Sequence, residues 1–272
     1  MTSFHRIGDV YELCLDSAPA NEIGLPMLAL LERFVEEVAA SDAKAVIVHS
    51  LRPIGFCAGA DLRGLFAGIQ GRSRDAYMPD VTEFIERIHA MASKLDALPQ
   101  TTFAALHGVC FGGGFELALL CDVLIADRTT RFAFPELRLG IVPGFGGIPR
   151  LRREVPNAVV RDLIMTGRSI NAARAHELGL VSQLVAPGHA LKAARSAARQ
   201  ACAFDREVQA QAKASIKPLL QPALLAERQL FLSMIAQERV QKALADFVSR
   251  QDPMPYLPRA AAQRAASDKE SV

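Results

Sequence analysis

The sequence predicts an α/β fold that ends in an all-helical module. Three observations carry that expectation. Strand and helix signals alternate from about residue 10 to Val185, the rhythm of strands laid side by side with helices between them. Beyond about residue 190 no strand signal remains, and Ala- and Leu-bearing helical patterns take over. Half of the 272 residues are hydrophobic, enough to bury the core of one large domain, or of a domain with a smaller appendage.

The elements follow in order. Residues 10–15 (VYELCL) alternate and read as a strand. Residues 25–40 place Leu28, Leu31, Val35 and Val38 at helical spacing, with charges opposite. The run 45-AVIVHS-50 is short and continuous, as in a strand buried on both faces. Residues 81–98 form a second amphipathic helix through Phe84, Ile88, Met91 and Leu95. A strand over 102–106, a glycine run, a helix over 114–121 and a strand over 122–127 continue the alternation. Residues 189–213 are Ala-rich and helical, Pro218 and Pro222 interrupt, and 223–250 is helical again. We therefore divide the chain into an α/β body over 1–190, a helical module over 191–258 and a polar, Ala-rich tail over 259–272 that reads as disordered.

Several function classes are excluded early. The formal net charge is +2 and there is no basic tract, so no nucleic-acid partner is expected. The five cysteines lack CxxC spacing and sit in apolar contexts, which reads as reduced, structural thiols. The amino terminus lacks a charged segment followed by an apolar run, and no stretch reaches membrane-spanning length. The expectation is a cytoplasmic protein with no membrane partner. The six histidines are scattered, and no metal site is expected.

Three segments carry chemistry. In 108-GVCFGGGFELALLCDV-123 three glycines lead into an apolar helix that holds one carboxylate, Glu116. Bare N–H groups at a helix start attract negative charge. The spacing is neither a dinucleotide loop nor a phosphate loop, so from the glycines alone a tight helix–sheet turn and an anion site both remain open. The second segment, 55-GFCAGADL-62, again sets small residues at a turn, with Asp61 suited to cap the next helix. Two such turns at the ends of two parallel strands can aim two N–H groups at one point, as an oxyanion hole requires. The third, 132-FAFPELRLGIVPGFGGIPRL-151, supplies Glu136 on a stiff turn after a proline.

With 166-TGRSINAARAHELGLVSQLV-185, these segments resemble the enoyl-CoA hydratase/isomerase family, also called the crotonase family, over roughly residues 10–250. The resemblance implies a crotonase-like spiral of ββα turns followed by a helical trimerisation module, assembled as a homotrimer or dimer of trimers. It implies an acyl-CoA thioester as substrate, with coenzyme A part of that substrate and no separate cofactor. It implies an oxyanion hole from the N–H groups of Ala60 and Gly113. Glu116 would activate water, Glu136 would exchange the proton at Cα, and the Gly144 N–H would help hold the water. Ala58, Asp61, Arg52, Arg228 and Phe231 are the positions it implies for substrate or CoA contact, Ala58 through its carbonyl.

The sequence also departs from the family pattern. The lysine often found ahead of the GAD turn is missing from 52-RPIGFC-57, which leaves Arg52 as its substitute. Phe134 stands where a polar residue is usual, which predicts a more apolar pocket near Glu136. The 71-GRSRDAYMP-79 portion is polar and reads as mobile. A hydratase of 2-enoyl-CoA thioesters is the first expectation. The alternatives are a Δ3,Δ2-enoyl-CoA isomerase, a decarboxylase or dehydratase of CoA- or carrier-linked acyl groups, and a silent scaffold. A thiol hydrolase on Cys110 or Cys121 would have only His107 as partner.

Overall fold

The structure is a computed structural model that describes residues 1–249. The expected tail over 259–272 and the end of the helical module lie outside the described residues.

The chain opens on an antiparallel hairpin of β1 (Ser3–Ile7) and β2 (Val10–Leu15), reversed through Gly8 at φ +58°. Helix α1 (Leu25–Ala40) follows, burying Met27, Leu28, Leu31, Phe34, Val35 and Val38, and then β3 (Ala45–Ser50), buried along its whole length. Next come β4 (Gly55–Cys57), α2 (Leu62–Ile69) and α3 (Arg74–Asp96). They are followed by β5 (Thr101–Leu106), β6 (Val109–Phe111) and α4 (Gly113–Ala118). After β7 (Val123–Asp127) and β8 (Arg131–Ala133) a 3-10 turn, Glu136–Leu139, leads to α5 (Gly147–Glu154) and α6 (Asn157–Thr166). β9 (Ile170–Asn171), α7 (Ala172–Glu177) and β10 (Gln183–Val185) complete the strand-bearing part. The described chain ends in α8 (Ala190–Ala201), α9 (Arg206–Ile216), α10 (Gln221–Ile235) and α11 (Glu238–Val248). No described helix is long and apolar enough to cross a membrane.

The middle of this order is a repeat of strand, strand, helix. Each repeat gives its first strand to a six-stranded sheet, order β1-β2-β3-β5-β7-β10, and its second to a four-stranded sheet, order β4-β6-β8-β9. The successive strands β3, β5 and β7 pair in parallel, and so do β4, β6 and β8. A chain that returns in the same direction to two sheets in turn is a spiral of ββα turns, as the resemblance implies.

The large sheet explains its own sequence signal. Along β3, Val46 and Val48 face the main core, while Ala45 and Ile47 face a second cluster with Ala190, Ala194 and Ala198 of α8. A strand buried on both faces reads as a continuous apolar run, because the two-residue period finds apolar surroundings on either side. The alanines four apart on α8 let that helix lie close on the sheet.

Two local readings are corrected. The 71–79 portion, expected to be mobile, is largely helical: α3 begins at Arg74, well ahead of residue 81. Arg72 pairs with Asp80 at 2.8 Å and Tyr77 is buried, so polar residues on the outer face hide an anchored inner one. The strands that end at the glycine turns are also not the long apolar runs 45–50 and 102–106. They are the three-residue β4 and β6, too short to show a period.

Candidate active site

The small sheet brings the three chemical segments together. Ala58–Asp61 leaves β4, Gly112 leaves β6 and Phe134–Glu136 leaves β8, and these strands are parallel neighbours. Turns that follow adjacent parallel strands lie side by side at one end of the sheet. A cavity of about 580 Å³ opens there, lined by Ala58, Ala60, Asp61, Gly113, Glu116 and Glu136, with Gly144, Phe145 and Phe231 closing it.

Two backbone donors face this space. Ile23 bridges the β4 turn by donating to the Gly59 carbonyl and accepting from the Asp61 N–H. A parallel bridge of that kind uses the residues flanking Ala60, so the Ala60 N–H is left on the other side. Gly113 is the first residue of α4, where a helix N–H has no intrahelical acceptor. Among the described residues neither N–H donates to a protein acceptor. The two are close: a Cβ built on Gly113 would stand 3.3 Å from the Ala60 nitrogen and 2.7 Å from the Phe145 ring. Gly112, at φ +49°, has no room for a side chain either, since a Cβ there would lie 2.6 Å from Glu136 Oε1.

The carboxyls differ in their surroundings. Glu116 is 3% exposed, and its Oε1 accepts the N–H groups of Phe145 and Gly147, both at 2.8 Å. Burial pushes it up to about 7, while those N–H groups, the Arg150 charge and the Gly144 N–H pull the other way. Glu136 starts the 3-10 turn after Pro135; the residue is half-buried and its Oε2 is enclosed with no partner. Burial, and then the charge of Glu116, raise it well above the ordinary carboxyl range. Near neutral pH the arrangement therefore has one carboxyl poised to ionise and one that keeps its proton.

The turn that holds Glu116, residues 144–147, is itself tied down by side chains. The Gly144 carbonyl accepts from His89 Nε2 at 2.9 Å, which fixes the proton on that nitrogen. Burial lowers His89 to about 4, so the ring is neutral. The fully buried Arg150 donates Nη1 to the Phe145 carbonyl at 2.9 Å and Nε to Asp96 at 3.1 Å. The Phe231 ring sits where a Cβ on Gly144 would be, 2.6 Å away.

Some predicted residues are elsewhere. Arg52 does not line the cavity; its guanidinium reaches Asp16 at 3.5 Å and its carbonyl meets His107 Nε2, because residue 52 leaves β3, not β4. Arg228 is half-buried on α10 outside the lining, one helical position past a buried residue. Asp61 does line the cavity, but its Oδ1 accepts the Gly64 N–H at 2.8 Å and caps α2. Phe134 stacks on Phe115 at 4.7 Å and is buried behind the cavity wall, so it does not make the lining more apolar. Cys110 and Cys121 are buried, and burial raises Cys110 well above its usual range and Cys121 to about 12, the opposite of nucleophile activation. Sequence reasoning missed His89, Arg150 and Glu227, each embedded in a helical pattern that marks only its apolar neighbours. The single hint was a polar or charged residue at a position where a helical period wants an apolar one.

Similarity to known proteins points the same way. A family model described as enoyl-CoA hydratase/isomerase matches residues 10–255. A probable enoyl-CoA hydratase of Rhizobium meliloti (strain 1021) is 35% identical over 235 residues, covering 85% of this chain and 87% of that protein. A carnitinyl-CoA dehydratase of Salmonella arizonae is 37% identical over 196 residues, covering 72% of each. The crystal structure of an enoyl-CoA hydratase from Bacillus anthracis superposes with a TM-score of 0.73 at 28% identity, over 90% of this chain and 95% of that one.

Proposed function

This chain belongs to the enoyl-CoA hydratase/isomerase family, and we propose that it adds water to the double bond of a 2-enoyl-CoA thioester. The observation that carries the reading is the pair of unpartnered N–H groups, Ala60 and Gly113, beside two buried carboxyls in one apolar cavity. The thioester oxygen lies between the two N–H groups. Ionised Glu116 takes a proton from water as the oxygen of that water bonds to Cβ. The electron pair of the double bond moves onto the thioester as an enolate, held by the two donors. Glu136 then gives its proton to Cα, and one proton passing from Glu116 to Glu136 restores the start. Both carboxyls work from the same side, so the addition is syn. One such donor is worth on the order of 3 kcal/mol in the transition state, and a placed acid or base about 10²–10⁴ in rate. Phe231 and the Ala58 carbonyl remain the contacts we assign to the CoA part; Arg52 and Arg228, outside the lining, are not assigned.

The exposed apolar side chains Val208 and Ile216 of α9 and Leu225 and Leu230 of α10 support a subunit contact, which we read as that of a homotrimer or a dimer of trimers. Light scattering of the purified protein tests the stoichiometry.

The activity is tested by offering 2-enoyl-, 3-enoyl- and malonyl-type CoA thioesters to the wild type and to Glu116→Gln and Glu136→Gln. The expected result is hydration of 2-enoyl thioesters, reduced about 10²–10⁴-fold in either variant. Hydration that survives both substitutions would falsify the mechanism. Turnover of 3-enoyl substrates that depends on one glutamate alone would replace it with the isomerase.

A further inference from the structure

Among the buried carboxyls that the mechanism leaves unused, one stands beside the candidate site. Glu227 is 6% exposed on α10, in the C-terminal helical part. Its Oε2 accepts the Ile148 N–H at 2.8 Å, and its Oε1 is enclosed without a partner. Ile148 is the second residue of α5, directly after the Gly147 whose N–H serves Glu116. Two carboxyls from different parts of the chain thus share one helix amino terminus. Helix α10 touches the same turn twice more: Leu224 lies 2.7 Å from where a Cβ on Gly146 would be, and Phe231 occupies that place at Gly144.

We propose that Glu227 is a positioning residue, holding the 144–148 turn from the C-terminal side so that Glu116 keeps its two N–H donors beside the oxyanion hole. The proposal rests on the hydratase reading for the role of Glu116. One helix terminus stabilises one anion well and two poorly. The charged groups facing Glu227 are Glu116 from α4, Arg150 from α5 and Glu136 from the 3-10 turn. Burial and the charge of Glu116 push Glu227 up to about 8, against the Ile148 and Gly146 N–H groups and Arg150. Glu116 accepts two N–H donors and Glu227 one, which favours the anion on Glu116 and the proton on Glu227. An enclosed Oε1 without a partner is tolerable on a neutral carboxyl and costly on an anion. The pair titrates in two steps that belong to both residues.

The test compares Glu227→Ala and Glu227→Gln with the wild type on a 2-enoyl-CoA thioester. Alanine leaves the Ile148 N–H unpaired and frees the turn: kcat is expected to fall about tenfold or more, with KM changed less than about threefold. Glutamine still offers an oxygen to Ile148, so kcat near pH 7 is expected within about threefold of wild type, while the upper of the two ionisations disappears from the pH–rate profile. Carbon-13 titration of the side-chain carboxyls reads the pair without turnover, and stays informative should the alanine variant not fold. Glu116 is expected to lose the inflection it shares with Glu227 in Glu227→Gln, and to keep in both proteins the coupling to Glu136. Wild-type kcat in a folded Glu227→Ala, or a Glu116 titration curve identical in wild type and Glu227→Gln, overturns the proposal. Full activity in Glu116→Gln would instead overturn the hydratase reading and leave the carboxyl titration to decide the pairing.

Discussion

The molecule buries carboxylates in two adjoining regions, and they behave in opposite ways. Asp96, at the end of α3, is 3% exposed and meets Lys217 at 3.0 Å, Arg153 at 3.0 Å and Arg150 at 3.1 Å. Burial alone would raise it, but those three cations outweigh burial and hold it at about 2. Glu116 is equally buried and meets backbone N–H groups, with the Arg150 charge also acting on it; it stands at about 7. Arg150 belongs to both regions, with Nε on Asp96 and Nη1 on the Phe145 carbonyl. Burial therefore does not decide what a carboxylate can do; its partners do. Full cations fix a charge permanently, whereas peptide dipoles leave a proton exchangeable near neutral pH, which acid–base chemistry requires.

That contrast can be broken at its structural end first. Asp96→Ala leaves Arg150, Arg153 and Lys217 around an empty site, and denaturant unfolding is expected to show a loss of about 3–5 kcal/mol. A loss under about 1 kcal/mol would mean that the cluster is solvated and the comparison false. At the other end, Glu116→Gln is expected to stabilise the fold by on the order of 3 kcal/mol at pH 8, even as it removes activity. The sign follows from the raised value. The folded state keeps a proton that the unfolded state has already lost, so the penalty grows as pH rises from about 4.5 to about 7 and is absent below that window. Melting curves of the variant and wild type should coincide near pH 4 and part by pH 8.

The pH dependence of turnover sharpens the same point. Because Glu116 must be ionised, kcat/KM is expected to rise about tenfold per pH unit below about 7. A profile flat from pH 5 to 9 would remove Glu116 as the base. Asp96 has the opposite linkage. Its contribution is complete above its unfolded value and lost as pH falls towards about 2, so acid unfolding monitored by circular dichroism should steepen there. The smallest effect belongs to a pair outside both regions. Arg87 and Glu32 meet at 2.7 Å with about a third of each side chain exposed, and Glu32→Gln is expected to cost under about 1 kcal/mol.

What could be read beforehand follows the length of the signals. Helix α1 and strand β3 have the bounds their periodicity predicts, because both bury long regular faces. The glycine, GAD and PEL segments announced a site because bare backbone and lone carboxyls in apolar runs are costly unless used. Arg52 and Arg228 do not line the cavity of the single chain, because position along the chain says little about where a long side chain ends.

The sequence by itself determined the family, the alternation that builds the large sheet, and the residue types at the oxyanion turns. Only the tertiary structure decided that three-residue strands, each too short for a period, would lie in parallel and set Ala60, Gly113 and Glu136 side by side. It alone brought Glu227 from α10 onto the turn that holds Glu116, where it meets Ile148, 79 residues earlier. The physical reason is the same in both cases. A proton affinity, like an unpartnered N–H, is set by which groups lie within a few ångströms, and that proximity is made by packing between elements distant in the chain.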